Sequence, residues 1–402
     1  MTRSARRAAV WAVALALVLR LGAALATDRV VADVLRYQRV ADHLLDVSWN
    51  PYETKHLYPY PPPWAAVEAA AEWLARRGVG SFPVNVKLPV VAADALLVAL
   101  LAAAARRGRA SSLAPWLYAV HPVSLLVGGA HGQFDAVALL FLLLAVEARA
   151  AERRDASALA LSAAIAVKSF PVLALPFLAW DRGEGWPKAA RYALLALVPG
   201  ALLLLPFVLA DPGAVRRELL AYGGIADFGW TGVLRGAEWL ATGALPRSEA
   251  RFWPVASLLS KGLFLAAWAA LVLARWSGRL RLPTERAVLA ALLAFTALYG
   301  LQSAQYLLWV VPLGLLRPGR HGLGYAAAAT AGLVGFYLFL APGVLVPGPL
   351  EGDALARAGH LWVAGAAAAL LVSLAWLVAT LREGALRATT DAIARPSSSP
   401  SL

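Results

Sequence analysis

The sequence predicts an all-α, polytopic helical membrane protein, and three observations carry that prediction. Of 402 residues, 60% are hydrophobic and only 15% charged, with a mean hydropathy of +0.64. Apolar runs of about 20 residues recur along the chain, the length that crosses ~30 Å of hydrocarbon as a helix. Clusters of arginine separate alternate runs, as expected of loops held on one side of a bilayer. A porin-like barrel would instead show short segments of alternating polarity. The chain has no cysteine, so disulfides and thiolate metal sites are excluded. Its six histidines, at 43, 56, 121, 131, 321 and 360, show no zinc-motif spacing.

In chain order, Arg3, Arg6 and Arg7 precede an apolar run over residues 8–27. Positive flanks stay cytoplasmic, so this run is expected to emerge outside at Asp28. Ala24-Leu25-Ala26 also resembles a signal-peptidase site, although Arg20 interrupts the apolar region. Residues 28–62 are too polar to span. Within them, residues 34–47 have helical apolar spacing and suit a helix lying on the membrane surface. Asn50-Pro51-Tyr52 and Tyr58-Pro59-Tyr60-Pro61-Pro62-Pro63 then force extended, stiff chain. Residues 64–77 contain Glu68 and Glu72 and are too short to cross, so they read as a second surface helix.

Residues 84–105 cross inward to Arg106, Arg107 and Arg109, residues 113–129 return outward, and residues 136–148 go back to Arg149, Arg153 and Arg154. Residues 156–180 are apolar but broken by Lys168-Ser169-Phe170-Pro171, with basic flanks on both sides. One kinked crossing would invert everything downstream. Two half-helices turning at Lys168 keep both flanks inside, and this reading is preferred because broken helices are tolerated where they line a cavity. The runs at 192–210, 252–275, 287–301, 305–316, 322–341 and 361–381 then alternate. The total is about ten spans, the half-helix hairpin, and two surface helices in a first external loop over residues 28–83. Residues 382–402 are expected to form a disordered cytoplasmic tail. Both termini fall in the cytoplasm of a cell (inner or plasma) membrane. On this topology 21 basic and 8 acidic residues lie inside, which accounts for the whole net charge of +13. The basic excess is therefore a membrane signal, and nucleic acid is excluded as a partner.

The polar clusters fall on the external side. They are Asp33 with its surface helix, His131-Gly132-Gln133-Phe134-Asp135, the Lys168 turn, Asp227-Phe228-Gly229-Trp230, and Gln302-Ser303-Ala304-Gln305-Tyr306. Each has a plainer reading: Asp135 as a helix cap, Lys168 as a snorkelling side chain, and Tyr306 with Trp309 as interfacial aromatics. The coincidence of five clusters on one face argues for a site. A carboxylate on an external loop can act as general base toward a hydroxyl. A lysine at a helix break, beside amide and imidazole donors, can hold a lipid-linked phosphate as it leaves. Aromatic rings can stack on a sugar.

The order of these segments resembles the multi-spanning GT-C glycosyltransferases that use polyprenyl-phosphate sugars, in particular bacterial family-87-type and glucosyl/mannosyl-type members. The matching residues are Asp33, Tyr37, Asn50-Pro51-Tyr52, Tyr58-Pro59-Tyr60-Pro61-Pro62, Lys87-Leu88-Pro89 with Asp94, and His121-Pro122 leading to His131-Gly132-Gln133-Phe134-Asp135. Lys168-Ser169-Phe170-Pro171, Phe228-Gly229-Trp230 and Gln305-Tyr306-Leu307-Leu308-Trp309 with Pro312 complete the set. The resemblance runs from about residue 8 to 316, with residues 8–210 as the catalytic-type module and 211–381 as a variable helical module.

The resemblance implies an inverting transfer of a hexose, mannose first, from a polyprenyl-phosphate donor to a glycolipid or glycan acceptor. It implies Asp33 as general base, with Asp135 in reserve. His131, Gln133, Lys168, Gln305 and Tyr306 would hold the donor phosphate and sugar; Tyr37, Tyr60, Asp227 and Trp230 would shape the acceptor pocket. No metal site and no cofactor are called for, and the part of a divalent cation is left open. Val34 follows Asp33 where the protein O-mannosyl branch has a second acid, which argues against that branch. A transporter or flippase of a lipid-linked sugar is the alternative; against it, no inverted internal repeat is visible. Two charges remain within the spans, Arg20 and Asp94. They are expected to pair, since an unpaired charge there costs at least ~2.5 kcal/mol.

Overall fold

The computed structural model describes residues 3–181, 185–247 and 254–393. Among the described residues there is no strand, only a single bridge between Phe228 and Gln302. The first long apolar helix, α1 (Arg3–Ala26), packs along α4 (Phe82–Arg106). Between them lie the two surface helices, α2 (Asp33–Asp46) and α3 (Pro63–Ala75). Arg76 clamps these two together, reaching Asp42 at 2.6 Å, Asp46 at 2.7 Å and Glu72 at 2.9 Å. The Asn50 side chain accepts from the Tyr52 backbone and starts the short 3-10 turn Pro51–Thr54 that joins them.

The next crossing is broken. α5 (Ala114–Ala119), with Pro115 in its first turn, and α6 (Pro122–Ser124), which begins at a proline, run into a π-helical turn, Leu125–His131. α7 (Asp135–Ala150) returns, and α8 (Arg154–Val167) rises to the Lys168 turn. The chain then comes back through a 3-10 segment, Phe170–Ala174, and α9 (Leu175–Ala179). Arg149 donates to Leu178 O at 2.9 Å and Arg154 to Ala179 O at 2.8 Å. Since Arg154 opens α8, both flanks of this segment lie at one end of the molecule, and the hairpin reading holds.

The second half contains α10 (Trp186–Ala210), α11 (Pro212–Val215) with a π-helical turn Arg216–Leu220, α12 (Gly229–Thr242), α13 (Pro254–Ser277) and α14 (Thr284–Leu298). A 3-10 segment, Ala304–Leu308, leads into α15 (Val311–Leu316), and α16 (Arg320–Phe339) and α17 (Gly352–Ile393) close the chain as a packed pair.

Polar contacts sort the loops into two ends. At a basic end, Arg107 and Arg109 both pair with Glu147 at 2.9 Å, Asp181 bridges Arg149 at 2.5 Å and Arg275 at 2.9 Å, and Arg286 meets Glu383 at 2.8 Å. At the opposite end, Arg29 donates to Gly343 O at 3.2 Å, Ser81 to Asp28 at 2.5 Å, and the His56 backbone to Glu218 at 2.8 Å. Each of these pairs joins segments that the sequence assigns to the same side.

Two expectations change. Six helices among the described residues are long and apolar enough to cross a membrane, against about ten expected spans. The other four crossings run between the ends as shorter or broken pieces: residues 114–131, α7, α14 and residues 304–316. Pro115, Pro122 and Pro312 lack a donor for the helical ladder, and the freed carbonyls are tolerated because these pieces are buried in protein. The expected disordered tail is instead helical as far as Ile393. Glu383 is held there by Arg286, and Gly384 O accepts from the Arg281 backbone at 3.1 Å. Residues 394–402 lie outside the described residues.

Arg20 and Asp94 do pair, at 2.9 Å and fully buried. Arg20 also donates to Ala119 O, Tyr118 O and Ser124 Oγ at 2.7–2.9 Å, and Asp94 accepts from Tyr118 and Ser124 at 2.5 and 3.0 Å. One buried network thus fixes α1 and α4 against the broken crossing.

Candidate functional site

Asp33 opens α2, where the amide dipoles of a helix N-terminus favour a carboxylate. The residue before it, Ala32, has φ +50° and ψ −127°, a strained conformation for a residue with a Cβ. Opposite Asp33, the π-helical turn ends in Gly132 at φ +86°. A Cβ on Gly132 would lie 3.1 Å from two carbons of Lys87, so both conformation and space require glycine. The wide turn and the glycine together aim His131 and Gln133 at α2.

Gln133 donates a very short hydrogen bond to Asp33 Oδ2. His131 Nε2 lies 3.3 Å from the same oxygen, a close polar contact outside good hydrogen-bond alignment. The Tyr37 hydroxyl donates to Gln133 Oε1 at 3.0 Å and so fixes the amide with its NH2 toward Asp33. The Tyr337 hydroxyl of α16 lies 3.1 Å from His131 Nδ1. Oδ2 of Asp33 is therefore engaged, whereas Oδ1 makes no hydrogen bond among the described residues and has Arg36 3.8 Å away. Burial pushes the Asp33 carboxyl up, but the His131 ring beside it, then Arg36 and Lys168, outweigh that and hold its pKa below the usual value.

Asp33 lines a cavity of about 360 Å³ together with Arg36, His131, Asp227, Arg235 and Gln305, with Phe336 and Leu340 supplying an apolar side. Asp227 pairs with Arg235 at 2.9 Å, and Trp362 donates to the Asp227 carbonyl at 2.9 Å. Burial raises the Asp227 pKa to about 6; Arg235 opposes the rise and the charge of Asp33 adds to it.

Asp135 has a different setting. Its side chain is fully buried, Oδ2 accepts from Lys168 at 2.6 Å, and Oδ1 accepts from the Trp309 indole at 2.6 Å. Lys168 lies 4.5 Å from the Phe134 ring centroid and 5.2 Å from that of Tyr60. Trp309 stacks on Phe170 at 3.9 Å and meets Tyr306 at 4.3 Å. This cluster locks the tip of the hairpin to α7 and to the 304–316 crossing. Phe134 links it to the first, 6.0 Å from Tyr37 and 4.8 Å from Tyr60.

The residues expected from the sequence therefore divide. Asp33, His131, Asp227 and Gln305 share the cavity, with Gln133 and Tyr37 directly behind Asp33. Asp135, Lys168, Tyr60 and Tyr306 form the second cluster, outside the cavity lining. Lys168 is paired with Asp135 as Arg235 is with Asp227, and both oxygens of Asp135 are engaged. Trp230 packs on Gly300 and donates to Leu298 O at 3.1 Å, so it fixes a loop and does not line the cavity. The sequence reading missed Arg36, Arg235 and Tyr337. Arg36 follows Asp33 by one helical turn, and Arg235 follows Asp227 on an amphipathic helix; both were legible as basic partners. Tyr337 sits in an ordinary apolar span and gave no signal. Among the described residues no group of three or more His, Cys, Asp and Glu could hold a metal ion.

Residues 38–182 match the family model for the alpha-(1->6)-mannopyranosyltransferase N-terminal domain. The match takes in Gln133, His131, Asp135 and Lys168 and begins five residues after Asp33. No curated protein matches the chain. The match supports a glycosyltransferase acting on mannose, in a chain built of membrane-spanning helices.

Proposed function

We propose that the chain is an inverting GT-C-type glycosyltransferase. It moves a hexose, mannose first, from a polyprenyl-phosphate donor to a hydroxyl of a glycolipid or glycan acceptor. The observation that carries this reading is the half-engaged carboxylate of Asp33 in the cavity lining: one oxygen is held by Gln133 beside His131, and the other makes no hydrogen bond among the described residues, with Arg36 3.8 Å away. By the positive-inside rule the basic end lies in the cytoplasm of a cell (inner or plasma) membrane, with both termini, and the cavity lies at the external face.

Asp33 Oδ1 takes the proton of the acceptor hydroxyl as that oxygen bonds to the anomeric carbon. The bond from this carbon to the phosphate oxygen breaks in the same step, and the polyprenyl phosphate departs with the electron pair. A carboxylate of low pKa is a weak base in the ground state. Its task is to be ionised and aimed, with Gln133, His131 and Tyr337 supplying the aim. Inversion puts the leaving phosphate on the side of the sugar away from Asp33. Arg235 stands on the cavity wall that carries Asp227 and supplies the positive charge there. Gln305 and Asp227 offer hydrogen bonds to sugar hydroxyls.

The test is to incubate the protein in liposomes with a panel of polyprenyl-phosphate sugars and acceptor glycolipids. Transfer is expected from the mannosyl donor, with the opposite anomeric configuration in the product. Transfer from a nucleotide sugar alone, or retention of configuration, would overturn the reading.

A further inference from the structure

Lys87 takes no part in the transfer step, yet it bears on both sides of the site. It projects from α4 and is fully buried. Its ammonium donates to Thr27 O at 2.8 Å and to Thr27 Oγ1 at 2.9 Å. The buried cations Arg20 and Lys168 each have a carboxylate partner; among the described residues Lys87 has none within ion-pair distance. Burying an ammonium against neutral oxygens costs more than burying an apolar side chain of the same length. Packing alone therefore does not account for a lysine here.

The head of Lys87 grips the segment that leads to Asp33. Thr27 directly follows α1, and its carbonyl also accepts from the Arg29 backbone at 2.9 Å. The Thr27 hydroxyl shares its proton between Ala23 O at 2.7 Å and Ala130 O at 2.9 Å, and Ala130 precedes His131. The stem of Lys87 runs beneath the turn itself. A Cβ on Gly132 would lie 3.1 Å from Lys87 Cγ and Cε and 3.5 Å from Val34, the neighbour of Asp33. Gly132 separates His131 from Gln133, the two residues that meet Asp33 Oδ2.

We propose that Lys87 is a positioning residue: by tying Thr27 to the floor of the Gly132 turn, it sets where His131 and Gln133 stand relative to Asp33. This rests on the reading of Asp33 as general base. The tie acts on that carboxylate in a definite direction. Burial raises the Asp33 pKa, and His131, with Arg36 and Lys168, outweighs the rise; Asp227 shares the cavity and opposes them. A turn that relaxes away from α2 takes the His131 contact with it, and the Asp33 pKa goes up.

The test is the pH profile of mannosyl transfer in liposomes for Lys87→Met, which keeps the stem and removes the donors. Per donor-binding molecule, kcat should fall by about 10–100-fold with KM nearly unchanged, and the acid limb of kcat should move to higher pH. Thr27→Val breaks the link to Ala130 without removing a charge and should move both in the same direction, by less. It also carries the test if Lys87→Met does not fold. In a Gln133→Ala background, Lys87→Met should lower kcat by less than it does alone, because one of the groups it aims is gone. A lower unfolding midpoint with unchanged kcat and an unmoved acid limb, or full additivity with Gln133→Ala, would overturn the assignment. Asp33→Asn in the same assay separates the two claims. An inactive Asp33→Asn beside those unmoved profiles removes the role of Lys87 alone; an active one removes the base and the role of Lys87 with it.

Discussion

Asp33 and Asp135 belong to two polar clusters linked through Phe134, and their carboxylates are treated in opposite ways. Asp135 is fully buried, with one oxygen on Lys168 and the other on the Trp309 indole. Asp33 is partly exposed, with one oxygen engaged and the other without a hydrogen bond among the described residues. Saturation on both oxygens makes a structural lock. Half-saturation makes an oriented group with capacity left for a substrate. The resemblance ranks Asp33 ahead of Asp135, and in the structure both acids open helices, α2 and α7.

The largest expected effect on the fold comes from breaking the lock. Asp135→Asn leaves the Lys168 ammonium buried without its counter-charge and should cost about 3–5 kcal/mol, read as a lower unfolding midpoint. Adding Lys168→Met should recover most of that loss. If Asp135→Asn keeps its stability but loses turnover, the two aspartates have exchanged roles. Arg20→Leu should destabilise on the same scale, about 3 kcal/mol. Asp94→Leu on top of it should restore only part, because Tyr118, Ser124 and the carbonyls of residues 118 and 119 lose their partners as well. Full recovery would show that the pair acts alone.

Smaller effects probe the aim of Asp33. Tyr337→Phe removes the contact that orients His131 and should lower kcat about fivefold, one hydrogen bond's worth, with KM near its starting value. A change in KM alone would place Tyr337 in binding and not in orientation.

Asp227 should write itself into the pH dependence. Its pKa is raised to about 6 in the folded chain from an ordinary 3.8. The stability it contributes is therefore present below the unfolded pKa and is lost as pH rises through about 6. As pH falls through 6, protonation removes the negative charge of Asp227 from the cavity wall, so the KM for a phosphate-linked donor should fall. Asp227→Asn should show the lower KM at every pH. Asp33, with its lowered pKa, stays ionised over this window. A KM in Asp227→Asn that still varies around pH 6 would remove Asp227 from that account.

The helical class, the two ends and the hairpin were legible because they follow from run length and arginine placement, which are local. The pairing of Arg20 with Asp94 was legible because the bilayer leaves few partners for a buried charge. Pairing at the site was harder to read. Gln133 and His131 lie beside Asp33, and the Lys168 ammonium has a carboxylate within its own cluster. Which of two acids a buried lysine meets depends on how the hairpin tip leans, and nothing in the composition of residues 168–171 encodes that. Trp230 was misread for a related reason: Gly300, the surface it covers, is 70 residues away. The helical tail over residues 382–393 was hidden by its charge content, since Arg286 and the Arg281 backbone hold it from outside the segment.

The most direct test of the account is Asp33→Asn, measured for both turnover and donor binding in the same preparation. The substitution keeps the shape of the side chain beside Gln133 and removes the proton acceptor. Turnover should fall by about 10²–10⁴-fold, with the polyprenyl-phosphate sugar bound as tightly as before and the unfolding midpoint little changed. A variant that still transfers sugar near the original rate, or that moves lipid-linked sugar across the bilayer unimpaired, would contradict a base at Asp33.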